Sequence, residues 1–326
     1  MTSHIVKSSG IGGAGVARST ETWKERYVMP ELKFAKKLPD TVPSELAIYS
    51  TERVHYGQKA VRAMTRKLKL PERPALPEAL PRVRAKLEFR YVDNWTIGSQ
   101  EGFTTAINRL SGAMRFRDEV RHGRELDATF KIREPRLVEV ARKYVGKTKL
   151  LKQPPSELKV SKITYLRTQG ASLDGEVAPE QILDAGVVFT RDIEGVPVVG
   201  FGGYLMVNIA HDESVVAATK VWRHRDKKIG KEKVLQPDYA VKQLQKRLTT
   251  RGLKERVNVL KADFCYFEAN DNTSQRYLEP TYAFLYETRI GQFLYKSVEI
   301  IPATQKPKQR WVFRKRFPAP TKAVRK

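Results

Sequence analysis

The chain has 326 residues, of which 40% are hydrophobic and 30% are charged. This length suits two or three domains of roughly 100–150 residues, each able to bury a core under a charged surface. Lysine and arginine number 61 against 36 acidic residues, giving a formal charge of +25. Such a charge attracts polyanions, namely nucleic acid, an anionic surface or an acidic protein. The single cysteine, Cys265, excludes an intramolecular disulfide and is predicted to be buried in the apolar run ADFCYFEA.

The first 22 residues are rich in glycine and serine and lack hydrophobic periodicity, which predicts a flexible arm. They contain no apolar core of a standard secretory signal, and no stretch of the chain reaches the ~18–20 apolar residues of a membrane span. We expect a protein without a membrane span that works in the cytoplasm, leaves by an unusual route or derives from a longer precursor. The rest of residues 1–43 is predicted to be an extended strap along the first domain.

Residues 44–125 are predicted to form a first module of one helix and several antiparallel strands. ELAIYS is typical of a strand, RAKLEFRYV alternates as a half-buried strand does, and FTTAINRLSGAMRFRDEV predicts two strands around a Ser-Gly turn. The four prolines of residues 71–81 indicate a linker. The helix is predicted by apolar residues at helical spacing, which are Ala60, Val61, Met64 and Leu68.

Residues 126–230 are predicted to form a second module. EPRLVEVARKYVGKTKLL has the apolar stripe of a helix, and ELKVSKITYLRT is typical of a strand. A regular β-meander follows between residues 187 and 223, with turns at Glu194-Gly195 and at residues 211–214. Three glycines, Gly200, Gly202 and Gly203, are expected to let the chain bend or bulge there.

Residues 231–305 repeat this order as a third module. LQPDYAVKQLQKRLTTRG carries a proline at its start and a glycine at its end, as helices do. RVNVLKADFCYFEA, QRYLEPTYAFLYET and QFLYKSVEIIPAT are predicted strands. A tail of residues 306–326 has nine lysines and arginines and no acid. The repetition predicts an α+β fold: tandem modules of one helix packed on an antiparallel β-meander, with flexible basic termini.

The meander and the third module resemble the tandem PepSY-like modules of YycH/YycI-type regulatory proteins and protease propeptides, over about residues 135–303. The resemblance implies this tandem fold and a role in binding partners, regulating kinases or restraining proteases, without catalysis. The residues that carry it are Phe189, Arg191, Gly195, Val196, Pro197, Gly202, Val215, Val216, Trp222, Arg223, Tyr277, Leu278, Pro280, Tyr282 and Phe284.

No phosphate loop, nucleophile elbow or zinc-protease motif occurs, and the five histidines do not lie at metal-ligand spacing. His211 falls in a predicted turn, and Asp192 and Glu194 flank another, where turn chemistry itself favours polar residues. We therefore expect a non-enzymatic protein without a cofactor or a metal.

Basic residues supply the candidate partner-binding set. One group lies at strand ends of the meander and is suited to an acidic partner, although a solvated sheet end would have the same composition. A second group lies in the tail, which is suited to nucleic acid or to docking on a like subunit in an oligomer. The candidates are Arg191, Arg223, His224, Arg225, Lys227, Lys228, Arg310, Arg314, Lys315 and Arg316.

Five tyrosines on neighbouring strands of the third module suit either cross-strand packing or base stacking. They are Tyr266, Tyr277, Tyr282, Tyr286 and Tyr295.

The sequence thus predicts a protein-binding, regulatory or scaffold protein that uses sheet edges and the clefts between modules. β-Augmentation at an edge strand is one binding mode that such a fold allows. One alternative is a basic structural or cargo component of a larger assembly. The other is a nucleic-acid-binding protein that uses the basic surface and the tail.

Overall fold

Strands dominate the computed structural model of the chain, which has an α+β fold of three helices and two sheets in its described part. Several predicted features lie outside the described residues: the arm, the proline-rich linker, and Arg310, Arg314, Lys315 and Arg316 of the tail. The structure describes residues 29–36, 38–68, 87–100, 102–123, 130–152, 157–170, 174, 177–253, 256–309 and 311.

The helices are α1 (Gln58–Leu68), α2 (Glu134–Thr148) and α3 (Pro237–Thr250), all three where the periodicity predicts them. Both α2 and α3 have a proline in the first turn, where a missing N–H costs no hydrogen bond. Each helix buries one apolar stripe and leaves its charged face exposed. None of these described helices is long and apolar enough to cross a membrane.

Sixteen strands occur in the described part of the chain. In chain order they are β1 (Leu32–Phe34), β2 (Glu45–Thr51), β3 (Glu88–Val92), β4 (Trp95–Gln100), β5 (Phe103–Asn108), β6 (Met114–Asp118), β7 (Leu158–Thr168), β8 (Gln181–Ile193), β9 (Val196–Gly200), β10 (Tyr204–Ile209), β11 (Val215–Val221), β12 (Arg225–Lys233), β13 (Val257–Glu268), β14 (Tyr277–Leu278), β15 (Pro280–Ile290) and β16 (Phe293–Pro302).

Thirteen strands form one mixed sheet in the order β16-β15-β13-β9-β8-β10-β11-β6-β5-β4-β3. Two strands lie off this path, because β1 pairs with β13 and β7 pairs with β8. The remaining strands form a small sheet in the order β12-β2-β14. Most pairs are antiparallel, as expected, but β1 and β9 each run parallel to β13.

Three pairings differ from the sequence-based expectation. The described part of the strap, β1, pairs with β13 instead of running along the first module, because Leu32 and Phe34 pack on the core beneath α3. The strand ELAIYS, now β2, pairs with β12 and β14, far along the chain. The short polar strand β4 and the highly charged strand β12 were not predicted, since neither has the apolar pattern of a buried strand.

Two large apolar cores flank the middle of the large sheet, and a third, smaller cluster contains Cys265, Phe267 and Ile300. The first, the helix-pair core, packs α1 and α2 against β5, β6, β8, β10 and β11. The second, the α3 core, packs α3 against β13, β15 and β16 and also receives side chains from β1, β2 and β9. Strand β9 joins the two regions, because it pairs with β8 on one side and with β13 on the other.

The hairpin between β8 and β9 has the tight turn that the sequence predicts. Glu194 and Gly195 both have positive φ angles, 51° and 80°, as a two-residue type I′ turn requires. Ile193 and Val196 pair on either side of the turn and are buried in the α3 core. The turn therefore directs β9 across to β13. The predicted turn between β10 and β11 is also confirmed, with the backbone N–H of Ala210 donating to Ser214.

Candidate functional site

Two of the candidate partner-binding arginines, Arg191 and Arg223, lie in the interior around the carboxylate of Glu268. Exposed side-chain fractions are 0% for Arg191, 3% for Arg223 and 0% for Glu268. Arg191 Nη2 donates to Glu268 Oε2 at 2.8 Å and to the Arg223 carbonyl oxygen at 2.7 Å. The backbone N–H of Arg223 donates to Glu268 Oε1 at 2.6 Å. We call these three residues the arginine cluster.

Beside the arginine cluster, the backbone of the glycine-rich bend lies very close to the backbone at the end of β13. A Cβ atom added at Gly202 would lie 2.4 Å from the carbonyl oxygen of Ala269, and one at Gly200 would lie 2.2 Å from that of Glu268. Only glycine permits this approach, so the predicted role of the glycine-rich bend is confirmed. The backbone N–H of Gly202 also donates to the Glu268 carbonyl at 3.0 Å. The bend therefore covers the end of β13.

Arg223 also fixes the loop that follows β13. Its guanidinium donates to the carbonyl oxygens of Ala269, Asn270 and Thr273 at 2.7, 2.8 and 2.6 Å. Burial lowers the pKa of Arg191 and of Arg223, and the nearby Glu268 carboxylate opposes that shift. Because both guanidinium groups point inward and bind protein atoms, we leave both arginines out of the proposed partner surface.

The candidates on β12 are closer to solvent. Arg225 forms an ion pair with Glu157, and its guanidinium carbon lies 4.8 Å from the ring centre of Tyr49. Lys228 is exposed, and its Nζ lies 3.5 Å from Glu194 Oε1. Lys227 is exposed as well. Since β12 has a hydrogen-bonded neighbour on one side only within the described sheets, these residues lie along an open edge.

The last candidate of this group, His224, lies beside a buried lysine that sequence reasoning missed. Lys220 is 6% exposed, and its Nζ lies 3.2 Å from His224 Nε2 and 3.4 Å from the carbonyl oxygen of Leu150. Burial and nearby cations lower the pKa of His224 to about 2. Burial, followed by the charge of Lys67, lowers the pKa of Lys220 to about 8. At neutral pH the imidazole is therefore uncharged and the ammonium is charged.

Lys220 and His224 line a small pocket of about 160 Å³, which we call the lysine pocket. Three further lysines line it, Lys67 from α1 and Lys149 and Lys152 from the segment after α2. Lys67 Nζ donates to the Lys149 carbonyl oxygen at 2.5 Å, and its pKa is lowered by burial and then by Lys152 and Lys149. Four lysines from three elements therefore line one cavity. Its apolar wall consists of Met64, Ile107, Met114, Leu150 and Trp222.

A larger opening of about 710 Å³, the basic cleft, adjoins the lysine pocket. Its walls are the segment after β2, the turn between β5 and β6 and the loop before β14. Three arginines line it without an ion pair to any described residue: Arg53, Arg109 and Arg276. The two openings share Glu52, Arg53, Val54, Ser111 and Arg223.

Other predicted features are structural. Tyr266, Tyr282 and Tyr286 are 0% exposed in the α3 core, so these three rings pack across strands and are not available for stacking bases. Cys265 is buried as predicted, and burial raises the pKa of its thiol to about 12. Among the residues that the structure describes, no three histidine, cysteine or acidic side chains are grouped to hold a metal ion.

One sequence signal could have identified Lys220. In β11 and the residue after it, Val216, Ala218, Lys220 and Trp222 alternate with residues of the opposite face, and all four are buried. A lysine in such an alternation is predicted to point toward the core. Its companions come from two distant parts of the chain, so no spacing in the sequence connects them.

Comparison with known proteins assigns no family. No protein-family model matches the chain, and no curated protein matches it. Matching solved structures include an uncharacterized protein from Eubacterium rectale ATCC 33656, with 12% sequence identity and a TM-score of 0.47. That match covers 88% of this chain and 92% of the other. At this level of similarity it supports no conclusion on function.

Proposed function

We propose that this chain is a non-catalytic binding protein whose basic cleft receives an acidic segment of a partner protein. The observation that carries the proposal is the cleft itself. It is the larger of the two adjoining openings, and three of its arginines have no acidic partner in the described part of the chain. Its volume of about 710 Å³ falls within the roughly 300–1,000 Å³ of specific binding pockets.

Both walls of the cleft are held by hydrogen bonds. On one side, Asn108 Oδ1 accepts from the backbone N–H groups of Leu110 and Ser111 at 2.8 and 3.3 Å. On the other, Arg223 binds the loop after β13, and Gln275 Nε2 donates to the carbonyl oxygens of Phe267 and Tyr277. A fixed cleft loses little conformational entropy when it binds, so more of the contact energy remains as affinity.

Charge favours an acidic occupant, because four arginines line the cleft against two carboxylates, Glu52 and Asp226, of which Glu52 is already paired with Lys152. Arg109 donates to Asn94 Oδ1 at 2.8 Å, which leaves its charge uncompensated, and the side chains of Arg53 and Arg276 have no described hydrogen bond. The exposed Lys227 and Lys228 extend the basic surface along β12. Complementary charge of this kind raises association rates and excludes cationic partners.

Aromatic placement favours a protein over single-stranded nucleic acid. Stacking of unpaired bases needs exposed rings beside a basic groove. Tyr277 is the aromatic residue that lines the cleft, and it is half-buried, whereas Tyr266, Tyr282 and Tyr286 are in the α3 core. Nucleic-acid binding through the tail, and a structural role of the tail in an assembly, remain separate predictions, since that segment lies outside the described residues.

The tandem-module interpretation belongs to the same proposal. Helix α1 packs on β4 and β5, α2 packs on β8 and β10, and α3 packs on β16. Each helix thus covers strands that follow it in the chain, as a helix-then-meander module would. The basic cleft then corresponds to the space between modules, which is where a regulatory or inhibitory protein of this kind would hold its partner.

A charge-reversal experiment tests the proposal. The double variant R109E/R276E, at two arginines that line the basic cleft and not the lysine pocket, should weaken binding of a short fluorescein-labelled peptide of alternating glutamate and serine by about tenfold or more, measured by anisotropy. The matched control R90E/R289E changes the net charge equally at exposed arginines on β3 and β15. It should retain the affinity of the unmodified protein.

Two results would reject the proposal. Equal weakening by both double variants would mean that net charge and not the cleft attracts the peptide. Preferential binding of an oligothymidylate of equal formal charge, with a steep loss as salt rises, would instead assign the basic surface to nucleic acid.

A further inference from the structure

The lysine pocket contains positive charge that the described residues do not neutralise. Lys220 is almost fully buried, yet no carboxylate lies within ion-pair distance of its Nζ among them. A buried lysine is ordinarily paired, because an isolated ammonium loses its hydration on burial. Lys220 Nζ instead contacts the carbonyl oxygen of Leu150 at 3.4 Å and the neutral imidazole of His224 at 3.2 Å.

We propose that the lysine pocket is a binding site for a single phosphate-like oxyanion, held by Lys220 at its base and by Lys67 and Lys149 at its rim. The site is formed by α1, by the segment that follows α2 and by β11, so it exists only in the folded chain.

The charge balance of the lining supports an anionic ligand. Six cationic side chains line the pocket, and the one carboxylate, Glu52, already forms an ion pair with Lys152. Arg223 is bound to Glu268, which leaves Arg53 and three lysines, Lys67, Lys149 and Lys220, without a carboxylate among the described residues. An oxyanion that accepts hydrogen bonds from these ammonium groups would supply the missing charge.

The dimensions and the wall also suit a small oxyanion. The pocket volume of about 160 Å³ is below the roughly 300–1,000 Å³ of sites for larger ligands. Its apolar side includes the buried Trp222 and Met114, so charges on that side interact through a medium less polar than bulk water. The neutral His224 can accept a hydrogen bond from Lys220, which would fix the direction of the remaining ammonium protons.

This inference does not depend on an acidic protein segment in the basic cleft. Arg53 lines both openings, but Arg109 and Arg276 line only the basic cleft, whereas the three lysines of the oxyanion site line only the smaller pocket. Two sources present the same group to the lysines: an oxyanion free in solution, or one attached to a partner, as on a phosphorylated serine. Inorganic phosphate and a phosphoserine peptide are therefore separate arms of the test.

Calorimetric titration of the full chain with inorganic phosphate, at constant ionic strength in chloride, tests the site. We expect saturable binding and a rise in Tm with phosphate, because a ligand that binds the folded state alone stabilises it. In K220M the affinity should fall by about tenfold or more, since a charge-assisted hydrogen bond is lost. The matched control K162M, at an exposed lysine on β7, should bind as the unmodified protein does.

A rim variant keeps the test independent of the folding of K220M. Lys67 and Lys149 are exposed, so K67M/K149M should fold normally and still lose phosphate affinity. Absence of saturable phosphate binding, or equal binding by all variants, would overturn the proposal. Tighter binding of a phosphoserine peptide than of its unphosphorylated form, lost in K67M/K149M but retained in R109E/R276E, would identify the attached source and leave the cleft proposal as a separate question.

Discussion

The arginine cluster and the lysine pocket each contain a buried cation from the end of β11 or just after it, Arg223 and Lys220, and these two cations have opposite surroundings. In the arginine cluster, Arg191 and Arg223 share the carboxylate of Glu268, and backbone carbonyl oxygens occupy several remaining donors. In the lysine pocket, Lys220 has neither a carboxylate within ion-pair distance among the described residues nor a short carbonyl contact.

Side chains at the end of β11 and just after it point alternately toward the lysine pocket and toward the arginine cluster. Lys220 and Trp222 point to the helix-pair core, whereas Arg223 turns toward the end of β13, where Glu268 lies. Trp222 lines the lysine pocket and also has the Arg191 guanidinium 4.6 Å from its ring centre. The arginines thus connect residues of the two core regions, whereas the lysines carry charge for which we propose an oxyanion ligand. A cation with its counter-charge inside the protein stabilises the fold, and one without it is a candidate for binding.

The largest expected effect is on the arginine cluster. E268Q removes the one carboxylate between two buried guanidinium groups, and loss of one partner of a buried ion pair typically costs about 3–5 kcal/mol. We expect a fall of this size in the free energy of unfolding, measured by urea denaturation.

Glu299 provides the control, since it is also fully buried and also has two arginine partners, Arg247 at 2.8 Å and Arg251 at 2.6 Å. Arg247 is 34% exposed and can turn to water, so E299Q should cost less, about 1–2 kcal/mol. Equal losses in the two variants would remove the special role of Glu268.

The next effect should appear in the pH dependence of K220M. The folded-state pKa of Lys220 is about 8, against 10.5 for an ordinary lysine. Between these two values the unfolded chain binds more protons at this residue, so rising pH stabilises the folded state. Relative to K220M, the unmodified protein should therefore gain up to about 3 kcal/mol of stability from pH 8 to pH 10.5.

Denaturation of both proteins across that pH range measures the difference, and the comparison removes the contribution of other titrating groups. The groups that act on Lys220 are Lys67, Glu52, Lys152 and Glu268, and they are unchanged in K220M. A stability difference that is constant with pH would show that Lys220 is not electrostatically strained.

A smaller effect is expected at the hairpin that carries Arg191 toward Glu268. Gly195 has φ 80°, and a β-branched residue in this left-handed backbone conformation should destabilise the folded state by about 1–2 kcal/mol. G195V should lower Tm accordingly. The control G230V adds the same side chain to β12 at a glycine without a positive φ and without a neighbouring atom within 4 Å. Similar melting temperatures for G195V and the unmodified protein would argue against the type I′ turn.

Local patterns in the sequence predicted most helices, strands and turns well, but they predicted poorly which strands pair in the sheets. The three helices follow from apolar spacing and from prolines such as Pro237, and the type I′ turn follows from Glu194-Gly195 between apolar strands. These signals are local, because helix and turn geometry depend on residues a few positions apart. The pairing of β2 with β12 depends on residues about 180 positions apart, for which one sequence holds no signal.

The candidate site was predicted only in part for the same reason. Exposed Lys227 and Lys228 follow directly from the charge run after β11, whereas the burial of Arg191 depends on Glu268, 77 residues away. Lys67, Lys149 and Lys220 line the same pocket only because α1 and the end of α2 pack over the same sheet. Composition predicted a basic protein, but only the folded structure separates paired cations from unpaired ones.

The most direct test measures the pKa of Lys220 by NMR titration of the lysine side chains, with and without phosphate. The signal of Lys220 is assigned by its absence in K220M. We expect a pKa of about 8 in the free protein and a higher value with phosphate bound, because a bound anion stabilises the charged ammonium. An ordinary lysine pKa in the free protein, unchanged by phosphate, would contradict the distinction between the paired arginine cluster and the unpaired lysine pocket.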